Sequence, residues 1–172
     1  MTDHIEITRP EAHPGVLVLR FNRPDKKNAI TQAMYQKLTA GLLEGEQDDA
    51  IRAIVFLGTE GCFSAGNDMA DFLGFAMAGA VGEPAAFGLL KTLTEVTKPL
   101  VSGVDGLAIG IGTTLNMHCD LTVASDRSLF KTPFVDLALV PEAASSLIAP
   151  RVMGHQRAFA MLAASEGFSA EQ

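Results

Sequence analysis

The stretch that decides the fold is VSGVDGLAIGIGTTLNMHCD, residues 101–120. It begins as an apolar run typical of a buried strand, passes through a turn that contains Gly106, Gly110 and Gly112, and continues as an apolar helix. Because glycine has no Cβ, the backbone of such a turn can approach a ligand closely. The first N–H groups of a helix lack partners and carry partial positive charge. The stretch therefore predicts a site for an oxyanion or a phosphate.

The spacing of these glycines argues against two phosphate-binding motifs. A P-loop needs lysine and then Ser or Thr after its last glycine, whereas Thr113 follows Gly112 directly. A dinucleotide-binding fingerprint that began at Gly110 would need glycine at position 115, which is Leu115. A second glycine-containing loop, residues 58–69, could supply one N–H of an oxyanion hole and this turn the other. The alternative, which the pattern leaves open, is that the glycines only permit tight helix–strand packing.

The rest of the chain alternates short apolar runs with helical patterns, which predicts an α/β fold with parallel strand pairing. Predicted strands cover residues 5–8, 16–21, 53–57, 121–124 and 128–130. One predicted helix follows the N-cap Thr31, with Met34, Leu38 and Leu42 buried. A second begins with Pro84 at position N1 and directs Phe87, Leu90, Leu93 and Val96 towards the core. A third begins at Pro141 and stops at Pro150, and a fourth covers residues 155–165. Residues 72–82 carry a helical signal, and we expect residues 168–172 to start another helix.

Composition excludes several classes of protein. A chain of 172 residues is long enough for one domain with a sizeable core. The net charge of −7 argues against nucleic acid as a partner. Two cysteines are too few for a disulfide scaffold. The first residues show no secretory signal, and no apolar run is long enough to span a membrane, so we expect a cytoplasmic protein with no membrane partner.

Titratable residues offer one acid–base candidate and no metal site. The histidines His4, His13, His118 and His155 are not at metal-ligand spacing with one another or with Cys, Asp or Glu. Glu142 has apolar flanks and follows Pro141 at the predicted helix start. Such a glutamate either favours the helix dipole or lies in an apolar cleft with a raised pKa, able to move a proton. Asp68, Asp71 and Asp136 are interpreted as cap or turn residues.

Five segments, taken in order, resemble the crotonase (enoyl-CoA hydratase/isomerase) superfamily. They lie at residues 22–30, 63–69, 104–112, 119–121 and 130–141. The resemblance implies a crotonase-like spiral of ββα units, assembled as a homotrimer or hexamer. It also implies acyl-CoA thioester substrates, so that coenzyme A is part of the substrate and no separate cofactor is expected. Members of the family continue into C-terminal helices, so we expect residues 1–172 to be the core domain without that helical part.

The resemblance also implies roles for individual residues. By position, the backbone N–H groups of Asn67 and Ile111 would hold the enolate oxygen of the thioester. Residues that fall where relatives bind substrate, including its CoA part, are Lys26, Lys27, Ala65, Gly66, Asp68, Met69, Gly110, Pro133 and Phe134.

One departure from the hydratase pattern bears on the reaction. Hydratases carry two glutamates, and the matching residues here are Thr114 and Phe134, which cannot replace an acid–base pair. Residues 132–146 instead resemble the peroxisomal-type Δ3-Δ2-enoyl-CoA isomerase branch, in which a glutamate matching Glu142 shuttles the proton. We therefore expect an isomerase that converts 3-enoyl-CoA to 2-enoyl-CoA with Glu142 as base. The alternatives are a hydratase, another enolate chemistry, or an acyl-CoA-binding protein without turnover.

Overall fold

Two β-sheets with helices packed around them form the fold. The computed structural model describes residues 4–77 and 84–172. The strands are β1 (Ile5–Thr8), β2 (Val16–Phe21), β3 (Ala53–Leu57), β4 (Cys62–Ser64), β5 (Leu100–Val104), β6 (Leu107–Ile109), β7 (Leu121–Ala124), β8 (Leu129–Lys131) and β9 (Phe168–Ser169). The helices are α1 (Gln32–Gln47), α2 (Met69–Met77), α3 (Ala85–Glu95), α4 (Ile111–Thr114), α5 (Ser145–Met153) and α6 (His155–Leu162), with 3-10 turns at Pro24–Lys26, Leu115–His118 and Val135–Leu137.

The chain steps repeatedly from one sheet to the other. The first sheet has the order β1-β2-β3-β5-β7 and the second β4-β6-β8-β9. Pairing is parallel throughout, except for β1 with β2 and β8 with β9. β3, β5 and β7 in the first sheet are each followed, after a short turn, by β4, β6 and β8 in the second. This repeating step confirms the α/β class and the parallel pairing that the sequence predicts.

Asp105 ties three of these turns together. Its carboxylate accepts hydrogen bonds from Gly61 N–H (2.8 Å), from the Ser125 hydroxyl (2.7 Å) and from Arg127 Nε (2.7 Å). The pKa of Asp105 is well below its usual range because Arg127, then Gly61 and Ser125, hydrogen-bond to the ionised carboxylate. The three turns that connect the two sheets are therefore linked through the carboxylate of Asp105.

Helix α1 confirms its predicted cap and buried face. The Thr31 hydroxyl accepts a hydrogen bond from Met34 N–H at 3.3 Å, which satisfies one of the free donors at the helix start. Met34, Leu38 and Leu42 are fully buried in the main core. The hydrogen bond from Met34 N–H to the Thr31 hydroxyl therefore fixes the residue at which α1 begins.

Residues 101–120 form more elements than we expect from the sequence. They form two strands, β5 and β6, which lie in different sheets, followed by only one turn of helix and a 3-10 turn. Gly106 lies between the strands, and Gly110 precedes α4. The prediction of one strand and one long helix is wrong because the apolar run 107–109 pairs with β4 and β8.

Two predicted helix starts are also corrected. α5 begins at Ser145 rather than Pro141, because Ala143 and Ala144 have φ values of 53° and 52°, which a right-handed helix cannot contain. Pro150 lies inside α5, which continues to Met153. Pro84 is the N-cap of α3 and not its first residue. Glu142 therefore lies in a loop, and its interpretation as a first-turn residue is wrong.

Other differences concern the ends of helices and the end of the sequence. Residues 168–169 form strand β9 instead of a helix, because Phe168 pairs with Phe130 on β8. α6 ends at Leu162, before the predicted position 165. Phe87 is 58% exposed, so its prediction as a core residue is wrong, whereas Leu93 is buried. Of the predicted helical residues 72–82, those up to Met77 belong to α2 and the remainder lie outside the described residues.

Candidate active site

A mostly apolar cavity of about 580 Å³ lies where the loops before α2, α4 and α5 meet helices α1 and α3. Its apolar walls include Phe87 and Leu90 from α3, and Leu137, Leu139 and Val140 from the loop before α5. Eight residues that the family resemblance selects line it: Ala65, Asn67, Met69, Gly110, Ile111, Pro133, Phe134 and Glu142. The fold thus brings together residues from segments that are distant in sequence.

Glycines allow the two loops that carry Asn67 and Ile111 to approach each other. A Cβ on Gly66 would lie 2.9 Å from the Ile109 carbonyl oxygen. Gly66 and Gly110 have φ values of 93° and 56°, a region that other residues rarely adopt. On the other side of Gly110, a Cβ on Gly112 would lie 2.6 Å from the Ser64 carbonyl oxygen. These glycines therefore serve the close packing of the two loops, which also places Asn67 and Ile111 on one cavity.

The backbone N–H groups of Asn67 and Ile111 are available to a ligand. Around Asn67, Ile30 N–H donates to the Gly66 carbonyl (2.8 Å) and Asp68 N–H donates to the Ile30 carbonyl (2.9 Å). Ile111 is the first residue of α4, so its N–H has no partner within the helix. Within residues 4–77 and 84–172, neither N–H donates to a protein acceptor. Asn67 and Ile111 both line the cavity, and their free N–H groups make them candidates for an oxyanion hole.

Glu142 is the carboxylate of this cavity. No other Asp or Glu among the described residues lines it. The Thr114 hydroxyl, fully buried, donates to Glu142 Oε1 at 2.6 Å. Burial raises the pKa of Glu142, and the hydrogen bond from Thr114 opposes that rise only in part. A carboxylate with a raised pKa in an apolar cavity is suited to take up a proton and to return it.

The loop that carries Glu142 is held in an unusual conformation. Ala143 and Ala144 are both left-handed, which costs about 1–2 kcal/mol for each residue that is not glycine. A ring nitrogen of His118, Nε2, lies 2.9 Å from the Ala143 carbonyl oxygen and hydrogen-bonds to it. The His118 ring is half-buried, and this hydrogen bond ties it to the loop that carries Glu142.

Tyr35 is the site residue that the sequence does not reveal. It lies in the first turns of α1 and is 2% exposed. Its hydroxyl donates to Asn67 Oδ1 at 2.5 Å. Burial, and secondarily the charge of Glu142, raise the pKa of Tyr35 far above its usual range. The one available signal is that this is the single tyrosine of the chain, placed on an otherwise aliphatic helix face.

Four predicted substrate-binding residues do not line the cavity. Gly66 and Asp68 flank Asn67, but the Asp68 carboxylate pairs with Arg23 (2.7 Å) and accepts Asp71 N–H (3.0 Å) at the start of α2. Its interpretation as a cap is therefore confirmed. Lys26 and Lys27 are exposed on the loop before α1, and the Lys27 carbonyl accepts Ala65 N–H at 2.9 Å. Their role towards the CoA part stays a prediction.

The described residues offer neither a metal-binding cluster nor a membrane-spanning helix. In the part of the chain with described coordinates, no group of three or more His, Cys, Asp or Glu residues is arranged to hold a metal ion. The helices of residues 4–77 and 84–172 include none with the length and apolar character needed to cross a bilayer.

Comparison with known proteins shows which family the chain is similar to. A family model for enoyl-CoA hydratase/isomerase matches residues 11–172. Enoyl-CoA delta isomerase 2 of Rattus norvegicus is 40% identical over 154 residues, which are 86% of this chain and 39% of the rat protein. Enoyl-CoA delta isomerase 3, peroxisomal, of Mus musculus is 36% identical over 154 residues, which are 86% of this chain and 48% of the mouse protein. The chain thus spans less than half the length of these two relatives.

A solved structure extends the comparison to the fold. Pseudomonas aeruginosa OdaA superposes with a TM-score of 0.90 at 41% identity, covering 99% of this chain and 67% of that one. This superposition confirms the crotonase-like fold. With the family model matched from residue 11 to residue 172, the chain belongs to the enoyl-CoA hydratase/isomerase family, the crotonase superfamily.

Proposed function

We propose that the protein is an enoyl-CoA isomerase that converts 3-enoyl-CoA to 2-enoyl-CoA. The observation that carries the proposal is that Glu142 is the one carboxylate among the described residues that line an apolar cavity, and that Asn67 and Ile111, each with a free backbone N–H, line the same cavity. Hydration by an acid–base pair needs a second such group. The residues at the hydratase positions, Thr114 and Phe134, are buried and carry no titratable side chain. Moving one proton from C2 to C4 needs only one carboxylate.

The reaction proceeds in two proton transfers. Glu142 takes a proton from C2 of the 3-enoyl thioester, and the electron pair moves onto the thioester oxygen as an extended enolate. The N–H groups of Asn67 and Ile111 stabilise that oxygen at the moment when its charge develops. The same carboxyl group then gives the proton to C4, which forms the conjugated 2-enoyl thioester. Because Oε1 accepts the Thr114 hydrogen bond, we assign the proton transfers to the other oxygen, Oε2.

The proposal is tested by ultraviolet absorbance of 3-enoyl-CoA mixed with the protein. Growth of the band of the conjugated 2-enoyl thioester is the expected result. No growth with 3-enoyl-CoA, together with loss of that band when 2-enoyl-CoA is supplied, would favour hydration and contradict the proposal. Binding of both thioesters without any change in absorbance would favour an acyl-CoA-binding protein.

The isomerisation is expected to lose activity at low pH. Glu142 acts as a base only when it is ionised, so kcat/KM falls as the pH is lowered through its pKa. Burial raises that pKa, so the acid limb should lie above the ordinary glutamate value of about 4.3. Initial rates at low substrate concentration across the acidic and neutral range measure it. A limb at or below the ordinary value would show that a different group limits the reaction.

Removal of the Thr114 hydroxyl should move this acid limb further upward. The hydroxyl donates to the ionised carboxylate of Glu142 and therefore lowers its pKa. In Thr114→Val that donor is lost, whereas Thr114→Ser keeps it and serves as the control. The pH profile of kcat/KM is compared for the two variants. If the limb of Thr114→Val coincides with that of Thr114→Ser, the hydrogen bond does not act on the base.

The proposal also covers how the CoA part of the substrate binds and how the protein assembles. The exposed Lys26 and Lys27 lie on the loop that holds Ala65, where positive charge would attract the phosphates of coenzyme A. A homotrimer or hexamer and a cytoplasmic location stay predictions; the mouse relative is named as peroxisomal.

A further inference from the structure

The Tyr35 hydroxyl contacts the candidate oxyanion hole, but it takes no part in the two proton transfers of the proposed reaction. Its ring belongs to the main core, and its oxygen reaches the cavity and donates to Asn67 Oδ1 at 2.5 Å. For core packing alone, phenylalanine would fill the same space. A hydroxyl that is buried needs a hydrogen-bond partner, and here the partner is the side chain of Asn67.

The backbone around Asn67 is already fixed on one side. Gly66 and Asp68 both hydrogen-bond to Ile30, at 2.8 Å and 2.9 Å, which makes an isolated parallel bridge between Ile30 and Asn67. In such a bridge the residue between the two bonded groups turns its own N–H away from the partner strand. These two bonds leave the side of Asn67 that faces the cavity without a backbone anchor.

The side-chain hydrogen bond supplies that missing anchor. Ile30 and Tyr35 flank the start of α1, so one short segment holds the backbone before Asn67, the backbone after it, and its side chain. Burial and the nearby Glu142 charge keep Tyr35 neutral, so that it remains a donor throughout the pH range of an assay.

We propose that Tyr35 is a positioning residue, which holds the Asn67 side chain and thereby aims the Asn67 N–H at the thioester oxygen. The inference rests on the proposed isomerisation. An oxyanion donor acts mainly on the transition state, and small displacements of catalytic groups cost large factors in rate. Loss of the anchor should therefore lower kcat and leave KM nearly unchanged.

A double-mutant cycle tests the inference with Tyr35→Phe, Asn67→Ala and the double variant, using 3-enoyl-CoA as substrate. We expect Tyr35→Phe to lower kcat about tenfold with KM within about twofold. Because Tyr35 acts through Asn67, the double variant should be no slower than Asn67→Ala alone. The control is Met34→Leu, a substitution in the buried face of the same helix that does not line the cavity. It should keep the wild-type kcat.

Each contrary outcome has a distinct meaning. An unchanged kcat for Tyr35→Phe in a protein whose wild type isomerises the substrate overturns this inference alone. The inference is also overturned if the losses of the two single variants multiply in the double variant. It is overturned as well if Met34→Leu loses as much kcat as Tyr35→Phe. An inactive wild type overturns the proposed function, and this inference with it.

Discussion

Glu142→Gln is expected to lower kcat for 3-enoyl-CoA isomerisation by about 10²–10⁴-fold, the range for loss of a general acid–base group. The glutamine keeps the size of the side chain and an oxygen that can accept from the Thr114 hydroxyl. It cannot take the proton from C2. Binding of the acyl-CoA thioester, measured by calorimetry, should stay within a few-fold of wild type. Steady-state rates from the absorbance assay give the loss in kcat.

The melting temperature of Glu142→Gln distinguishes a loss of catalysis from a loss of folded protein. The pKa of Glu142 is raised in the folded state, so its contribution to stability is complete at low pH and is lost as the pH rises through that pKa. At neutral pH the glutamine variant escapes the cost of burying the ionised group. Its melting temperature should therefore not lie below that of wild type. Glu11→Gln, an exposed substitution, is the matched control and should retain full activity. A Glu142→Gln enzyme that turns over normally would remove this residue from the mechanism.

Gly66→Ala is expected to lower kcat by about 10²-fold, as the loss of one oxyanion-hole donor does. The new Cβ would lie 2.9 Å from the Ile109 carbonyl oxygen, so the loop that carries Asn67 must move away from the loop that carries Ile111. Asn67 and Ile111 would then lie further apart, and the oxyanion hole proposed for their N–H groups would be disrupted. The absorbance assay measures the rate, and thermal unfolding measures the loss of stability.

Gly61→Ala is the control for backbone strain. Gly61 has a φ of 74°, so alanine is strained there as it is at Gly66, at about 1–2 kcal/mol. A Cβ on Gly61 would meet nothing within 4 Å. We expect a lowered melting temperature for both variants and a large loss of kcat only for Gly66→Ala. Equal losses of kcat would mean that strain, and not the separation of the two loops, causes the effect.

Local patterns predicted the elements whose structure depends on neighbours in sequence. The cap Thr31 and the buried side chains of α1 follow from spacing within one helix. The apolar composition of residues 16–21 and 53–57 was sufficient to identify them as strands. The resemblance to the family selected eight residues that the fold then places on one cavity.

Features that depend on contacts between distant segments were not predictable in this way. Tyr35 meets Asn67 and Thr114 meets Glu142 only because the two sheets and their loops converge. The left-handed Ala143 and Ala144 carry no signal, since alanine normally favours a helix and the surrounding packing overrides that preference. The same holds for β9, whose two residues pair with β8 where the local pattern favours a helix.

The central claim is that one carboxylate carries a proton from C2 to C4. It is tested most directly with 3-enoyl-CoA that carries deuterium at C2, converted in ordinary water in a single turnover. Because Glu142 holds the removed hydrogen in an apolar cavity, we predict that mass spectrometry and NMR will find deuterium at C4 in part of the 2-enoyl-CoA product. Product in which C4 carries no deuterium, so that its incoming hydrogen derives from water, would contradict transfer of the C2 hydrogen by a single base.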